Sequence, residues 1–136
     1  MAFNGIIARK FALLDEYQTQ LRKELDGVTF AYFRRNWALR CATERALQVM
    51  AEIVVDVAER IIAMRDAGPV ATAAAAIEKL VTLGVLKRAQ PYVSIVRFRN
   101  LIVHQYEQVD PALVYSIATR HLDDFTKFRN EIDACA

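Results

Sequence analysis

At 136 residues the chain is expected to form one domain, residues 1–136, large enough to bury a core without disulfide or metal staples. Its net charge of +2 excludes a generally basic body, so any affinity for nucleic acid must come from a local cleft. Hydrophobic residues make up 54% and charged residues 25%, and the excess over the usual roughly 45–50% apolar content favours an oligomer. No apolar run reaches the ~18 residues of a membrane span, and no signal peptide is evident. Cys41 and Cys135 stand far apart without a C-x2-C partner, and they read as free thiols of a reducing cytosol.

In chain order, Ile7, Phe11, Leu14, Tyr17, Leu21 and Leu25 recur at three- and four-residue steps. They predict an amphipathic helix over residues 4–26, with Asn4 as N-cap and Gly27 as its stop. Thr29 to Arg34 has room for a short helical turn before Asn36 caps the next element. From Trp37 to about Arg65, Leu39, Ala46, Met50, Ile53, Val57 and Ile61 form one stripe, which Ala42, Leu47, Val54, Ala58 and Ile62 widen. So wide an apolar face predicts a helix packed by neighbours on two sides. Ala67-Gly68-Pro69 ends it, and a third helix is expected from about Thr72 to Leu83, stopping at Gly84.

A fourth helix is predicted from about Lys87 to Gln105, with Pro91 in its first turn. Asp110-Pro111 then supplies an N-cap and a proline at the first helical position. The helix that follows is expected to run to about Asp133, with Val114, Ile117, Ala118, Leu122, Phe125, Phe128 and Ile132 as its core stripe. No alternating run suggests a sheet. The expected class is all-α, an up-and-down bundle of four long helices with shorter pieces.

Chemistry concentrates in Phe98-Arg99-Asn100-Leu101-Ile102-Val103-His104-Gln105-Tyr106. At about 100° per residue, Ile95, Phe98, Ile102, Val103 and Tyr106 share one apolar arc, and Arg99 falls inside it. A guanidinium cannot be neutralised and is costly to bury alone, so Arg99 must meet a carboxylate, another chain or an anionic ligand. His104 lies ~140° round the helix from Arg99. Convergence of the two needs a wrapped Arg side chain, a helix end near His104, or two copies facing each other. Taken alone, the pair also fits a structural reading, a buried ion pair plus a His⁺ that gains roughly 0.3–1 kcal/mol at a helix C-terminus.

Other constellations are poor. Gly5, Gly27, Gly68 and Gly84 are scattered and form no phosphate loop, and no cofactor is expected. His104 and His121 fall on different helices, so no metal site is expected. Asp123-Asp124 reads as a solvated pair, His121 as a surface residue.

The segment Phe98 to Tyr106 closely resembles the R-x4-H-x-Y motif of HEPN-domain toxins of the HepT type. Arg99, His104 and Tyr106 match the motif positions, and Asn100 matches the polar residue that often follows the Arg. Glu44-Arg45-Ala46-Leu47-Gln48, the pattern from Ile53 to Ile62 and the Asp110-Pro111 opening are similar to the same family. Residues 1–29 resemble it only as a generic amphipathic helix.

The resemblance implies a homodimeric HEPN-like bundle in the cytoplasm, acting as a metal-independent endoribonuclease toxin. RNA carries its own nucleophile in the 2′-hydroxyl. An imidazole with a pKa near ~6.5 serves as base or acid at neutral pH, which assigns His104. The planar fork of Arg99 suits the charged phosphate oxygens, with Asn100 in support. Arg97 is either a solvated cation or an auxiliary RNA phosphate contact. The resemblance also implies a nucleotidyltransferase antitoxin of the MNT type that silences the toxin by transferring AMP to Tyr106. The competing expectation is a non-catalytic HEPN dimer that binds a nucleotidyltransferase partner, a nucleotide or both. A third is a plain helical scaffold with Arg99 in a salt bridge.

Overall fold

The computed structural model describes residues 5–104 and 109–135, and it contains no strand among the described residues. Its helices run in order as α1 (Gly5–Leu25), α2 (Phe30–Arg35), α3 (Trp37–Met64), α4 (Ala73–Thr82), α5 (Tyr92–His104), α6 (Pro111–Arg120) and α7 (Asp123–Ala134). Side-chain caps set four of the starts. Thr29, Asn36, Thr72 and Asp110 accept from the backbone N–H groups of Tyr32, Leu39, Ala75 and Ala112. Each such cap stabilises its helix by about 1 kcal/mol. Gly27 and Gly84 take φ of +72° and +77°, the left-handed turn that lets the chain leave α1 and α4 without a Cβ penalty.

α3 is the axis of the bundle. Its 28 residues span about 42 Å, and it packs against each of the other helices. Leu47, Met50, Val54, Val57, Ala58 and Ile61 have no exposed surface, which bears out the double-sided apolar face. At one end of the core Phe11, Tyr92 and Phe128 stack edge to face, tying α1, α5 and α7 together. Tyr115 of α6 donates its hydroxyl to the Val28 carbonyl at 2.6 Å and packs on Phe30 and Phe33.

Several expectations need correction. The helix expected after Asp110 is not continuous: α6 stops at Arg120 and α7 begins at Asp123. At this break the Leu122 carbonyl, which accepts from Phe125 N at 3.1 Å, also accepts from Gln18 Nε2 at 2.8 Å, and Thr126 Oγ1 accepts from the same amide at 2.8 Å. Gln18 therefore occupies the buried position on α1, whereas Tyr17, expected in the stripe, is only partly buried. α5 starts at Tyr92 rather than Lys87. The Pro91 carbonyl accepts from Ser94 N, so Pro91 flanks the helix and does not sit in its first turn. Val103, expected in the apolar arc, is 46% exposed. Asn4, Gln105 and Tyr106 lie outside the described residues.

Candidate active site on the fifth helix

Burial fixes the first half of α5. Tyr92, Val93, Ile95, Val96 and Phe98 are buried, and the helix packs on α3 and α4. Past Phe98 the helix opens. Leu101 and Ile102 are half-buried, and Val103 and His104 are exposed. The core thus anchors the backbone of the motif while leaving its last turn accessible.

Arg99 meets the carboxylate that its place in the apolar arc demands. Its Nε donates to Glu52 Oε1 on α3 at 3.0 Å, and its Nη1 donates to Asn100 Oδ1 at 2.8 Å. The side chains of Arg99 and Glu52 are 24% and 37% exposed, so water screens the pair and its net stabilisation is modest. Its larger effect is on direction. Asn100 lies about 100° from Arg99 and about 40° from His104 on the helix. The bond to Asn100 therefore turns the guanidinium towards the His104 side. Bonds through Nε and Nη1 leave the Nη2 end of the fork for an anion. No hydrogen bond joins Arg99 to His104 among the described residues, and Tyr106 lies outside them.

Glu52 is the site residue that sequence reasoning missed. Its signal was a polar period: Glu44, Gln48, Glu52 and Asp56 recur every fourth residue along α3, and all four are half-buried. Asp56 uses that edge to pair with Lys10 at 3.0 Å, and burial raises the Glu44 carboxyl above its ordinary range. The spacing marks a polar seam on α3, and Glu52 is where α5 meets it.

Arg97 is exposed and lies two turns before His104 on nearly the same line of α5. It borders a cavity of about 530 Å³ between α5 and the α6–α7 pair, lined mainly by Ile95, Phe98, Leu101, Leu113 and Phe125. His121 at its edge is exposed, as expected, with Nδ1 at 3.6 Å from Asp124 Oδ2. Asp123 points elsewhere, to Arg22 at 2.6 Å. Among the described residues no three His, Cys, Asp or Glu side chains are grouped to hold a metal ion. No helix among them is long and apolar enough to cross a membrane.

No curated protein sequence is significantly similar to the chain. Solved structures are. A toxin–antitoxin complex with AMP-PNP contains a chain 22% identical, with TM-score 0.86 over 96% of this chain and 99% of that one. A tri-AMPylated Shewanella oneidensis HEPN toxin in complex with MNT antitoxin is likewise 22% identical, with TM-score 0.86 over 97% and 99%. A variant MntA–HpeT toxin–antitoxin is 24% identical, with TM-score 0.84 over 96% and 99%. These likenesses establish the all-α HEPN fold. The family model described as Ribonuclease HepT-like matches residues 14–132, most of the chain, and the chain belongs to the HepT-like ribonuclease family.

Proposed function

We propose that the chain is the RNA-cleaving toxin of a toxin–antitoxin pair, acting without a metal through Arg99 and His104. The observation that carries this is the arrangement of Arg99. It is held through Nε by Glu52 and through Nη1 by Asn100, which leaves Nη2 free of those bonds, and Asn100 stands about 40° round the helix from exposed His104. A purely structural ion pair has no need of the second bond or of that exposure.

In the reaction, the RNA 2′-oxygen bonds to the adjacent phosphorus and gives its proton to a base. The bond from phosphorus to the 5′-oxygen breaks, and that oxygen takes a proton from an acid. The products carry a 2′,3′-cyclic phosphate and a 5′-hydroxyl. His104 supplies the base or the acid, and Arg99 neutralises the extra charge on the phosphorane oxygens. One protomer offers one such His, so a two-fold homodimer joining two α5 helices would supply both groups across one cleft. Exposed Val103 and Leu113 beside α5 give such an interface apolar surface to bury.

The partner in this reading is an MNT-type nucleotidyltransferase, which joins the Tyr106 hydroxyl to the α-phosphorus of ATP and releases pyrophosphate. The AMPylated HEPN toxin bound to its MNT antitoxin supports it by fold.

The experiment is cleavage of RNA in EDTA by the purified chain. Wild type is expected to leave cyclic phosphate ends and to spare DNA of the same sequence. Arg99→Ala and His104→Ala are each expected to lose at least about 100-fold in rate while keeping their helical circular dichroism. Full activity in His104→Ala would remove the assignment.

A further inference from the structure

The modest charge of the chain leaves open where a polyanion would be held beyond the two motif side chains. A concentration of positive charge around a concavity lies at the opposite end of α5 from His104. Lys87, Arg88 and Lys127 border a cavity of about 330 Å³ together with the amides of Gln90 and Asn130 and a single carboxylate, Glu131. The three cations are exposed, and none of them forms an ion pair among the described residues.

The one carboxylate does not cancel them. Glu131 Oε1 accepts from the Lys87 backbone N–H at 2.9 Å, and Oε2 accepts from the Tyr92 hydroxyl. Burial first, and then Glu131 itself, push the Tyr92 phenol above its usual range, so it stays a donor. Both carboxylate oxygens are therefore turned to internal partners, and with three cations against one carboxylate the rim keeps a net charge of about +2.

The cavity also has a direction. Pro91 borders both it and the larger cavity beside Arg97. From Pro91 an open line runs down α5 through Ser94, Arg97 and Leu101 to His104, at steps of three and four residues that keep one face. All five residues are exposed or half-buried. From Tyr92 to His104 the helix rises about 18 Å. A basic cavity, a cation midway and the proposed catalytic His spread along one line of this length suit an extended polyanion such as a single strand, not a compact anion.

We propose that Lys87, Arg88 and Lys127 form an RNA exosite, which binds backbone phosphates of the single strand several nucleotides from the scissile bond. The strand then follows α5 past Arg97 to His104. This rests on the ribonuclease reading above and adds the substrate's path.

The test compares K87A/R88A/K127A with R9A/K23A/R60A, which removes the same charge from exposed positions on α1 and α3. Binding of a single-stranded RNA is measured against salt in a His104→Ala background. Cleavage is measured with His104 intact, on a long RNA and on a dinucleotide too short to reach the cavity. The exosite variant is expected to lose about 2 from the slope of log K against log salt, the share of three phosphate contacts on a single strand. Its KM for long RNA is expected to rise at least about tenfold while dinucleotide cleavage is unchanged. The control variant is expected to keep the wild-type values.

Equal losses in the two variants, or loss of dinucleotide cleavage in parallel with long RNA, would overturn the exosite. So would unchanged RNA binding with loss of a co-purifying protein partner, which would give the cavity to that partner. A His104-intact chain that cleaves RNA while the exosite variant binds normally removes only this proposal. A parent chain that neither binds nor cleaves RNA removes the ribonuclease reading and the exosite with it.

Discussion

Glu52 shows how much one side chain on a neighbouring helix does for the motif. A lone Arg99 on α5 would sample many rotamers, whereas Nε bonded to Glu52 and Nη1 bonded to Asn100 fix the plane of the fork. Glu52→Ala is expected to free that plane. The loss is about 10- to 100-fold in the rate of RNA cleavage, since a misplacement of about 1 Å costs on that order. Glu52→Gln keeps an acceptor oxygen for Nε and is expected to recover most of the rate, which separates positioning from charge. An Ala variant with wild-type kcat would show that Asn100 alone sets the fork. The need for a partner was legible in the sequence because Arg99 falls in an apolar arc. Its identity was not, because Glu52 lies 47 residues away and nothing local fixes which turn of α3 faces α5.

At the scale of elements, periodicity and caps located α1 to α4 within a residue or two, since each begins at a capping side chain or ends near a glycine in the left-handed region. The break between α6 and α7 had no such mark. Neither glycine nor proline occurs from Arg120 to Asp123, and the apolar spacing continues through it. What stabilises the break comes from a distant helix: Gln18 donates to the Leu122 carbonyl and to Thr126. A glutamine among Leu14, Leu21 and Leu25 was the available signal, since a buried amide implies buried partners. Gln18→Leu is expected to remove both of these bonds while the Leu122 carbonyl keeps the Phe125 N–H, at about 1–3 kcal/mol for the two together. The corresponding fall in Tm is roughly 3–10 °C. Unchanged thermal stability would mean that the Phe125 N–H alone satisfies the carbonyl and that Gln18 does not hold the break. α5 resisted its sequence boundary for a similar reason, because Pro91 satisfies its first N–H groups from outside the helix.

Over the whole molecule, all-α architecture was legible because every apolar run keeps a helical period and none alternates. The paths of charge across the surface were not, since they depend on which helices meet. That distribution bears on control. The chain carries a net charge of only +2, and each AMP joined through a phosphodiester adds one negative charge. A few such additions at Tyr106 would bring the molecule to neutrality or beyond. They would also add phosphate two residues along the chain from His104, where it would compete with RNA for the motif's donors. Inhibition then requires no change of fold. Tyr106→Phe keeps the ring and removes the acceptor oxygen. After co-expression with the nucleotidyltransferase partner, intact mass is expected to show AMP-sized increments on wild type and none on Tyr106→Phe. The modified wild type is expected to bind single-stranded RNA with a shallower salt dependence, while Tyr106→Phe stays active and toxic. Equal silencing of both forms by the partner would move control from Tyr106 to binding alone.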